Sequence, residues 1–449
     1  NKEPWDLDRR TSALQRRRHL ALPTPETGIE PPMRIILRII GIALRHKWQM
    51  TTAYSSMVGA TIAYLFLPKL IGNAINQVAE LFATGEYSES TIISIVLVIF
   101  GTSILRGVMA YGQTYYGEAL SQAVSYDIRN DFYNHVQHLS FKFHDRNHTG
   151  NLMSRAITDV ENIRMFINMG LVRSPYFLGL FIVVAIILLM MDWRLGLLSI
   201  SFMPIVALYS AKVRLRMRQI WLRVQQTMAE LNAVLQENLT GMRVVKAFAS
   251  EEYEAEKFDS RSVDVASESV KAERLRSLSA SVVLFAFQVS LGLILWFGGM
   301  RVINGNMSYG ELAQFILYMQ ILAMPVRMSG WLVNSYARAA SAGERLFEIL
   351  DAESPVKEAL NPSQMARVRG HVRFEKLSFY YDDGVPVLKN IDLDVEPGKV
   401  VALLGAPGSG KSTIVNLIPR FYDVTSGRLT IDGIDIRDVT LPSLRRNIG

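Results

Sequence analysis

The sequence predicts an all-α membrane domain with six spanning helices, followed by the first part of an α/β domain. Two observations support this prediction. Six apolar runs lie between residues 48 and 337, each close to the ~20 residues that a bilayer-spanning helix needs. A glycine-rich segment, residues 405–413, follows them with a strand-like stretch before it and a helix-like stretch after it. Hydrophobic residues make up 49% of the chain, and its mean hydropathy of +0.17 is apolar for a soluble protein of this size.

Each apolar run is assigned to one span. The predicted spans are Trp48–Pro68, Ser90–Gly117, Ser174–Met191, Leu195–Ala211, Ser277–Met300 and Leu312–Ala337. The third and fourth are separated by only Asp192, Trp193 and Arg194, which predicts a tight hairpin. Long connectors follow the second and fourth spans, and the apolar spacing after Leu215 indicates helices that continue beyond the bilayer. A large soluble helical core is the alternative, but it does not explain the charge asymmetry around the runs.

The formal net charge of +7 is consistent with a membrane protein. Binding to nucleic acid is another interpretation of a basic chain, but the basic residues lie beside apolar runs rather than in one patch, so no nucleic-acid partner is expected. Their distribution places the N-terminus, both long connectors and the C-terminal part in the cytosol. The absence of cysteine excludes disulfides, thiolate metal sites and cysteine nucleophiles from this chain.

The predicted domain boundaries follow these features. Residues 1–32 form a flexible cytosolic tail, whose basic run at 16–19 either contacts anionic lipid or is simply solvated. Residues 33–350 form the membrane domain, which opens with an interfacial helix at 33–47. Residues 351–367 are a linker, and residues 368–449 are the first part of the α/β domain. Because the chain starts at Asn and stops inside that domain, we expect a longer protein. The isoleucines expected to face the membrane from the interfacial helix are Ile35, Ile36, Ile39 and Ile40.

Residues 405–413 carry the pattern G-x-x-x-x-G-K-[ST], which is typical of a phosphate-binding loop. We predict a buried strand at Lys399–Leu404 and a helix after Ser412. The glycines allow the backbone N–H groups to point at phosphate, Lys411 reaches the β- and γ-phosphates, and the Ser412 hydroxyl is the predicted Mg²⁺ ligand. ATP and Mg²⁺ are therefore the expected cofactors. The residues predicted to bind the nucleotide here are Gly405, Ala406, Pro407, Gly408, Ser409, Gly410, Lys411, Ser412 and Thr413.

From about Met33 to Gly449 the chain resembles the ATP-binding cassette exporters, in particular bacterial half-transporters of the multidrug and lipid A exporter type. Residues 143–160 and 236–248 resemble the family's two coupling segments, and residues 339–350 resemble its exit from the sixth helix. Residues 426–433 resemble a hairpin strand with its Asp-Gly turn. The resemblance implies an all-α six-helix exporter domain followed by a partial α/β P-loop nucleotide-binding domain.

The resemblance also implies roles for single residues. Tyr381 matches the aromatic position that stacks on adenine, with Tyr380 as the fallback; the alternative is a tyrosine in an ordinary strand. The family's signature motif, second acidic strand, catalytic glutamate and switch histidine have no counterpart before Gly449. No catalytic residue is therefore assigned in this chain, and those groups are expected beyond Gly449.

The function implied by the resemblance is ATP-driven export or flipping of a lipid, drug or other amphipathic molecule across the cytoplasmic membrane. The partner is a second half-transporter, in a homodimer or heterodimer, with membrane lipids around it. Segments near Thr149–Leu152 and Ala247–Tyr253 are expected to carry cassette motion to the membrane helices. The alternatives are an ATP-gated channel, a regulatory or degenerate partner in a heterodimer, and an importer built on the same fold.

Several polar and adaptable side chains lie within or near the predicted spans. Lys69, Arg106 and Arg173 either meet an anionic headgroup, pair with Glu118, or extend to the membrane interface. A further set of aromatic and methionine residues either lines an adaptable site or packs between helices. That set is Tyr111, Tyr115, Tyr116, Met319 and Met324.

Overall fold

The computed structural model describes residues 31–84, 89–381 and 385–449. All but the last two residues of the predicted N-terminal tail lie outside the described residues. The chain divides into two compact units. The cassette unit comprises the described residues up to Arg45 together with Gln122–Phe166 and Ala337–Gly449. The membrane unit comprises His46–Ser121 and Ile167–Tyr336.

Long helices make up most of the chain before residue 350. In chain order the helices are α1 (Pro32–Ala43), α2 (Lys47–Thr84), α3 (Glu89–His138), α4 (Phe141–Arg146), α5 (Thr149–Ser154), α6 (Val160–Met165), α7 (Ser174–Met191), α8 (Trp193–Thr240), α9 (Met242–Ala247), α10 (Glu251–Ile303), α11 (Tyr309–Leu350), α12 (Lys411–Leu417) and α13 (Leu441–Arg445). Two π-helical segments, Arg155–Asp159 and Phe166–Arg173, join α5, α6 and α7 into one nearly continuous rod. The strands are β1 (Val372–Phe379), β2 (Leu388–Val395), β3 (Ser426–Ile431) and β4 (Ile434–Asp435).

Five helices of the described residues are long and apolar enough to cross a membrane. They are Lys47–Glu80, Ile93–His138, Thr149–Met191, Trp193–Thr240 and Glu251–Ile303. The predicted third span coincides with α7. The predicted sixth span lies within α11, which is not one of these five, so the count of six stays a prediction. The chain is thus a multi-pass membrane protein with a mostly helical membrane domain.

The hairpin between α7 and α8 is as tight as predicted. Asp192 alone separates the two helices and caps α8: its Oδ1 accepts hydrogen bonds from the backbone N–H groups of Arg194 (3.0 Å) and Leu195 (3.1 Å). Its other carboxylate oxygen forms an ion pair with Arg301 near the end of α10. The Asp192 side chain is 8% exposed, so this pair is shielded from solvent on the aspartate side. One residue therefore both starts α8 and ties it to α10.

Helices α8 and α10 form the most extensive helix–helix contact in the membrane unit. At 1.5 Å per residue the 48 residues of α8 extend about 72 Å, more than twice the ~30 Å hydrocarbon thickness of a bilayer. The two helices run antiparallel, with ion pairs between Lys257 and Glu237 (3.1 Å) and between Arg261 and Glu230 (3.0 Å). The connector that follows the predicted fourth span thus lies largely within the helices α8 and α10.

Helix α1 differs from the interfacial helix expected at residues 33–47. It ends at Ala43, and α2 begins at Lys47. Ile35, Ile36 and Ile39 are buried, and the Cγ2 atom of Ile35 lies 2.5 Å from where a Cβ on Gly343 of α11 would stand. The apolar face predicted to meet lipid therefore packs on protein, because the glycine in α11 lets the isoleucines approach closely. Arg38 adds a two-point ion pair to Asp351, at 2.5 and 2.7 Å.

The sheet of the cassette unit is antiparallel, with strand order β2-β1-β3-β4. The predicted Asp-Gly turn joins β3 to β4, with φ angles of 52° at Asp432 and 82° at Gly433. Side chains from β1 and β3 form the core with α12 and α13. These include Phe374, Leu377, Phe379, Leu417, Leu429, Ile431 and Leu444.

The strand predicted at Lys399–Leu404 does not form. The segment has no regular structure, and Leu404 is 95% exposed. A strand is stabilised by hydrogen bonds to a neighbour, and no strand of the described residues pairs with this segment. The apolar run is therefore strand-like in composition only, and the glycine-rich loop follows a segment without regular secondary structure.

Candidate nucleotide-binding site

The glycine-rich loop turns sharply between the irregular segment at residues 399–404 and α12. Gly408 and Gly410 have φ angles of 83° and 88°, in the left-handed region that favours glycine. Ser409 donates its backbone N–H to the Ala406 carbonyl at 3.2 Å, and Ile414 donates to the Gly410 carbonyl at 3.1 Å to start the helix. A Cβ on Gly410 would lie 2.8 Å from Leu388 Cδ2 and 3.3 Å from the Val387 carbonyl oxygen. Both the left-handed φ angle and the nearby atoms of Leu388 and Val387 therefore require glycine at position 410.

The Lys411 ammonium lies inside this loop. Its Nζ donates to the carbonyl oxygens of Gly405 and Ala406, both at 2.8 Å, and to Ser409 Oγ at 3.2 Å. These three acceptors hold the ammonium against the loop that the sequence analysis assigns to phosphate binding. The loop thus presents a cation within a curled backbone, the combination that stabilises bound phosphate.

Ser412, the predicted Mg²⁺ ligand, is exposed at the start of α12. One hydroxyl suits Mg²⁺, which usually keeps several waters and takes further oxygens from substrate phosphates. Within the described ranges no group of three or more His, Cys, Asp or Glu side chains is arranged to hold a metal. The residues present therefore fit an ion that arrives with a nucleotide rather than one held by a protein cage.

Tyr381, the predicted adenine-stacking residue, reaches the same helix. Its hydroxyl is 3.0 Å from Thr413 Oγ1, and 37% of the residue is exposed. Its ring stands edge-on to Phe379 at a centroid distance of 4.9 Å. The structure therefore brings the predicted base-binding and phosphate-binding residues together. The fallback residue, Tyr380, is similarly exposed at 38%, but no hydrogen bond or ring contact of its side chain is found among the described residues.

Tyr422 is a site residue that the sequence analysis did not identify. Its ring packs edge-on against Tyr381 at 5.1 Å, and its hydroxyl donates to Asp145 Oδ2 in α4 at 2.5 Å. Burial, together with the Asp145 carboxylate, raises the pKa of Tyr422, so the phenol stays protonated and acts as the donor. The signal available in the sequence is the polar-aromatic run Arg420–Asp423 directly after the apolar helix.

Phe421, the neighbour of Tyr422, makes a second contact to the first connector. Its ring stacks on Phe141 with a centroid distance of 4.0 Å. Phe421 and Tyr422 both line a cavity of about 130 Å³, together with Lys142 of the first connector. The contacts to the cassette are therefore made by α4, immediately before the Thr149–Leu152 tip that the resemblance singled out.

Arg420, at the end of the same turn, is 2% exposed and has a left-handed φ of 53°. Its guanidinium donates to Asp423 at 2.6 Å and to the Lys357 carbonyl at 2.9 Å. A buried cation is costly unless it is paired and hydrogen-bonded, and both conditions are met. The side chain therefore fastens the linker region to the turn that carries Phe421 and Tyr422.

The exit of α11 also contacts the first connector. Arg345 Nε donates to Asp159 Oδ2 at 3.0 Å, and the Asp159 side chain is 6% exposed. Arg155 forms an ion pair with Glu348 at 3.0 Å. Both pairs join segments that resemble family motifs, residues 143–160 and 339–350. The cassette unit thus holds the first connector, the end of α11 and the nucleotide-site candidates in one body.

In the membrane unit, two of the predicted polar positions have partners. The Arg106 guanidinium lies 3.8 Å from the centroid of the Tyr64 ring. Glu118 Oε2 accepts a hydrogen bond from Asn168 Nδ2 at 2.6 Å. Lys69 lines an open cavity of about 400 Å³ with Leu65, Phe66, Met190 and Tyr318 among its neighbours. No ion pair to Glu118 from Lys69, Arg106 or Arg173 is found among the described residues.

Of the aromatic and methionine residues that the sequence analysis singled out, some are buried between helices and others are exposed. Met319 is 1% exposed and belongs to the membrane-unit core with Phe315 and Ile294, so it packs between helices. Met324 is 53% exposed and borders an open cavity of about 440 Å³ with Phe287 and Gln320. The tyrosines form a row along α3, with ring centroids 5.9 Å apart for Tyr111 and Tyr115 and 5.2 Å apart for Tyr115 and Tyr116.

Two protein-family models match the chain. One, described as the ABC transporter transmembrane region, covers residues 53–326, and the other, described as ABC transporter, covers residues 388–449. The similar curated proteins include the ATP-dependent lipid A-core flippase of Syntrophus aciditrophicus (strain SB). It is 32% identical over 425 residues, which is 93% of this chain and 68% of that protein.

Two further relatives come from other bacteria. The uncharacterized ABC transporter ATP-binding protein YwjA of Bacillus subtilis (strain 168) is 31% identical over 364 residues, or 80% of this chain and 62% of that protein. A Staphylococcus aureus (strain NCTC 8325 / PS 47) protein, provisionally named a multidrug export ATP-binding/permease protein, is 32% identical over 388 residues, covering 86% of this chain and 67% of that protein. The chain spans about two thirds of the length of these relatives.

Proposed function

Because the chain belongs to the ABC transporter family, we propose that it is part of an ATP-driven exporter that moves a lipid, drug or other amphipathic molecule across the cytoplasmic membrane. The family match covers both the helical region and the glycine-rich loop. Relatives named for lipid A-core flipping and for multidrug export both support an amphipathic substrate. A multi-pass helical domain in the same chain as a nucleotide site supports the coupling of ATP to movement across a membrane.

One observation carries the proposal: the predicted nucleotide site and the first connector share a contact. Tyr381 hydrogen-bonds Thr413 beside the phosphate loop, and Tyr422 packs on Tyr381 while bonding Asp145 of α4. A nucleotide that orders Tyr381 would therefore act on a residue that is linked through Tyr422 alone to α4 of the first connector. A protein that only bound nucleotide would not need this connection.

ATP would be held by two groups of residues. Tyr381 would stack on the base, and the loop Gly405–Thr413 would surround the phosphates, with Lys411 supplying charge and Ser412 one oxygen ligand for Mg²⁺. Of these, Lys411 already lies against the loop carbonyls and Tyr381 lies against Thr413. Bound Mg²⁺ would neutralise developing phosphate charge. Catalytic groups for hydrolysis are expected from outside the residues described here.

The proposed assembly is a dimer of half-transporters, either of two identical chains or of two different ones. In such an assembly each nucleotide would lie between the phosphate loop of one subunit and a second surface from its partner. The proposed topology keeps the N-terminus, both long connectors and the cassette in the cytosol, in accordance with the basic residues that flank the spans. The domain boundaries of the sequence analysis are part of this proposal, except for the interfacial helix expected at residues 33–47, which the structure replaces with α1 at Pro32–Ala43.

Replacing Lys411 tests the proposal. In the full-length protein reconstituted into vesicles, Lys411→Ala is expected to abolish ATP-dependent movement of a fluorescent lipid or drug, because the loop loses its phosphate-binding charge. The matched control is Lys399→Ala, an exposed lysine just before the loop, which is expected to behave as wild type. Normal transport by Lys411→Ala would overturn the proposal. ATP-dependent ion conductance without net pumping would favour the channel alternative instead.

A further inference from the structure

A cavity in the cassette unit lies between the first connector and the residues that the proposed function assigns to the nucleotide base. Every residue that lines it belongs to that unit. Its volume is about 130 Å³, close to the ~150 Å³ of an engineered protein cavity that binds benzene. The space therefore suits one flat ring system, whereas a lipid or a whole nucleotide would be too large for it.

Half of the residues that line this cavity are aromatic. Three of them, Phe379, Tyr381 and Tyr422, pack against one another with ring centroids 4.9 to 5.7 Å apart. The hydroxyl of Tyr422 is bonded to Asp145, so this ring is also fixed at its polar end. The hydroxyl of Tyr381 is fixed in the same way by Thr413 Oγ1 at 3.0 Å. Aromatic walls that are already in place favour a planar ligand, because it gains ring contacts without ordering the site.

Ser140, at the start of α4, adds a polar group that the protein itself does not use. It stands at the N-cap position, where a serine hydroxyl usually accepts a backbone N–H, but no such bond is formed. The residue is 8% exposed, and its Oγ has no hydrogen-bond partner in the part of the chain that the structure describes. A shielded hydroxyl without a partner is destabilising. Because Ser140 lines the cavity and its side-chain torsion has three staggered positions, the hydroxyl can turn to a ligand there.

The cavity suits a neutral ligand that is attached to an anion. Lys142 and Asp423 give its lining one charge of each sign, and Asp423 Oδ1 already accepts a hydrogen bond from Arg420 Nε at 2.6 Å. The lining is therefore balanced and does not select an anion. Tyr381 connects the cavity to the phosphate loop, since it lines the one and bonds to Thr413 at the end of the other. A nucleotide has this composition, because a ribose joins its neutral base to its phosphates.

We infer that Ser140 of the first connector completes the base site by hydrogen-bonding the edge of the purine whose face lies on Tyr381. A hydroxyl both donates and accepts, so it can pair with a ring nitrogen or with the amino group of adenine. The nucleotide then contacts the first connector directly, in addition to the route through Tyr422. The inference rests on the proposed function for the nucleotide and the position of its base, but it concerns binding alone and not transport or hydrolysis.

Ser140→Ala tests this contact in the full-length protein, in Mg²⁺-free buffer so that hydrolysis does not interfere. Affinities for ATP and for tripolyphosphate, which has no base, are measured by displacement of a fluorescent nucleotide. Ser140→Ala is expected to weaken ATP binding about two- to tenfold, the range for one neutral hydrogen bond, and to leave tripolyphosphate binding unchanged. Ser140→Thr keeps the hydroxyl and is expected to bind ATP within about twofold of wild type.

The matched control is Ser426→Ala, which removes an exposed hydroxyl at the start of β3. Ser426 does not line the cavity, so this variant is expected to bind ATP as wild type does. In a Tyr381→Ala background, the effect of Ser140→Ala on ATP binding is expected to shrink, since the two residues hold the same base.

Two outcomes would overturn the inference. Unchanged ATP affinity in Ser140→Ala would show that the cavity holds water and no base. An equal loss of affinity for ATP and for tripolyphosphate would show that the substitution acts on the fold of the site and not on the base. Failed ATP-driven transport with an intact effect of Ser140→Ala on ATP affinity would count only against the proposed function.

Discussion

The Tyr422 hydroxyl and the Asp145 carboxylate, 277 residues apart in the chain, are joined by a hydrogen bond of 2.5 Å. Asp145 belongs to the first connector, and Tyr422 lies in the turn after the phosphate-loop helix. The Tyr422 ring also contacts Tyr381, which bonds to Thr413. A short chain of side-chain contacts therefore runs from the candidate nucleotide site to α4 of the first connector.

Removing this hydroxyl tests whether the contact transmits nucleotide binding. Tyr422→Phe keeps the ring against Tyr381 but loses a hydrogen bond to a charged group, which contributes about 1.5–3 kcal/mol. We expect nucleotide affinity within about twofold of wild type, and stimulation of ATP hydrolysis by transported substrate reduced about tenfold, the equivalent of ~1.4 kcal/mol. Fluorescent-nucleotide titration and substrate-stimulated ATPase rates of the full-length protein measure the two quantities.

A double-mutant cycle with Asp145→Asn is the control for this prediction. If the two residues act through their mutual bond, the double variant loses little more stimulation than either single one. Additive losses would show that Tyr422 and Asp145 act separately.

Tyr381 is predicted to contribute base stacking and a hydrogen bond that can be separated by substitution. Tyr381→Ala removes the ring, and a stacked base contributes about 1–3 kcal/mol, so nucleotide affinity is expected to fall about 5- to 150-fold. Tyr381→Phe keeps the ring and loses only the bond to Thr413, so affinity is expected to fall less than about fivefold. Tyr380→Ala is the neighbouring control, and a larger loss there than in Tyr381→Ala would assign the base to the fallback residue.

Gly410→Ala is expected to disable the phosphate loop. The left-handed φ of 88° costs a Cβ-bearing residue about 1–2 kcal/mol, and the new Cβ would also meet Leu388 at 2.8 Å. Nucleotide binding is expected to be lost, with a lowered midpoint of thermal unfolding. Gly398→Ala separates strain from loop function, since it has a φ of 75° but open space around its Cβ position. Equal nucleotide affinity in the two variants would contradict this explanation.

Asp192 combines a helix cap with an ion pair, and the two roles respond differently to substitution. Asp192→Asn keeps a good capping side chain and loses the charge that pairs with Arg301, whereas Asp192→Ala loses both. Because the Arg301 side chain is 31% exposed, we expect Asp192→Asn to lower the free energy of unfolding by only about 1–2 kcal/mol. The loss of the cap should add about 1 kcal/mol in Asp192→Ala. Thermal unfolding in detergent measures both, and equal midpoints would show that the cap contributes nothing.

Apolar periodicity predicted most of the helical part of the chain. The run at Ser174–Met191 coincides with α7, because apolar residues on every side, ended by a polar hairpin, leave few alternatives for the chain. The helical spacing of apolar residues after Leu215 likewise falls within α8. The same reasoning failed at Lys399–Leu404, since a strand depends on a hydrogen-bonded neighbour that its own residues do not specify.

The candidate site likewise has one part that the sequence predicts and another that depends on tertiary contacts. The sequence by itself determined the phosphate loop, since glycines, lysine and serine at fixed spacing meet a local requirement of the backbone and its ligand. It also determined the Asp-Gly turn. Only the tertiary structure decided that Tyr422 meets Asp145, that Tyr381 reaches Thr413, and that the isoleucines of α1 pack on α11 rather than on lipid. Those contacts join residues distant in the chain, and their partners are set by how whole elements pack, which no local pattern of residues records.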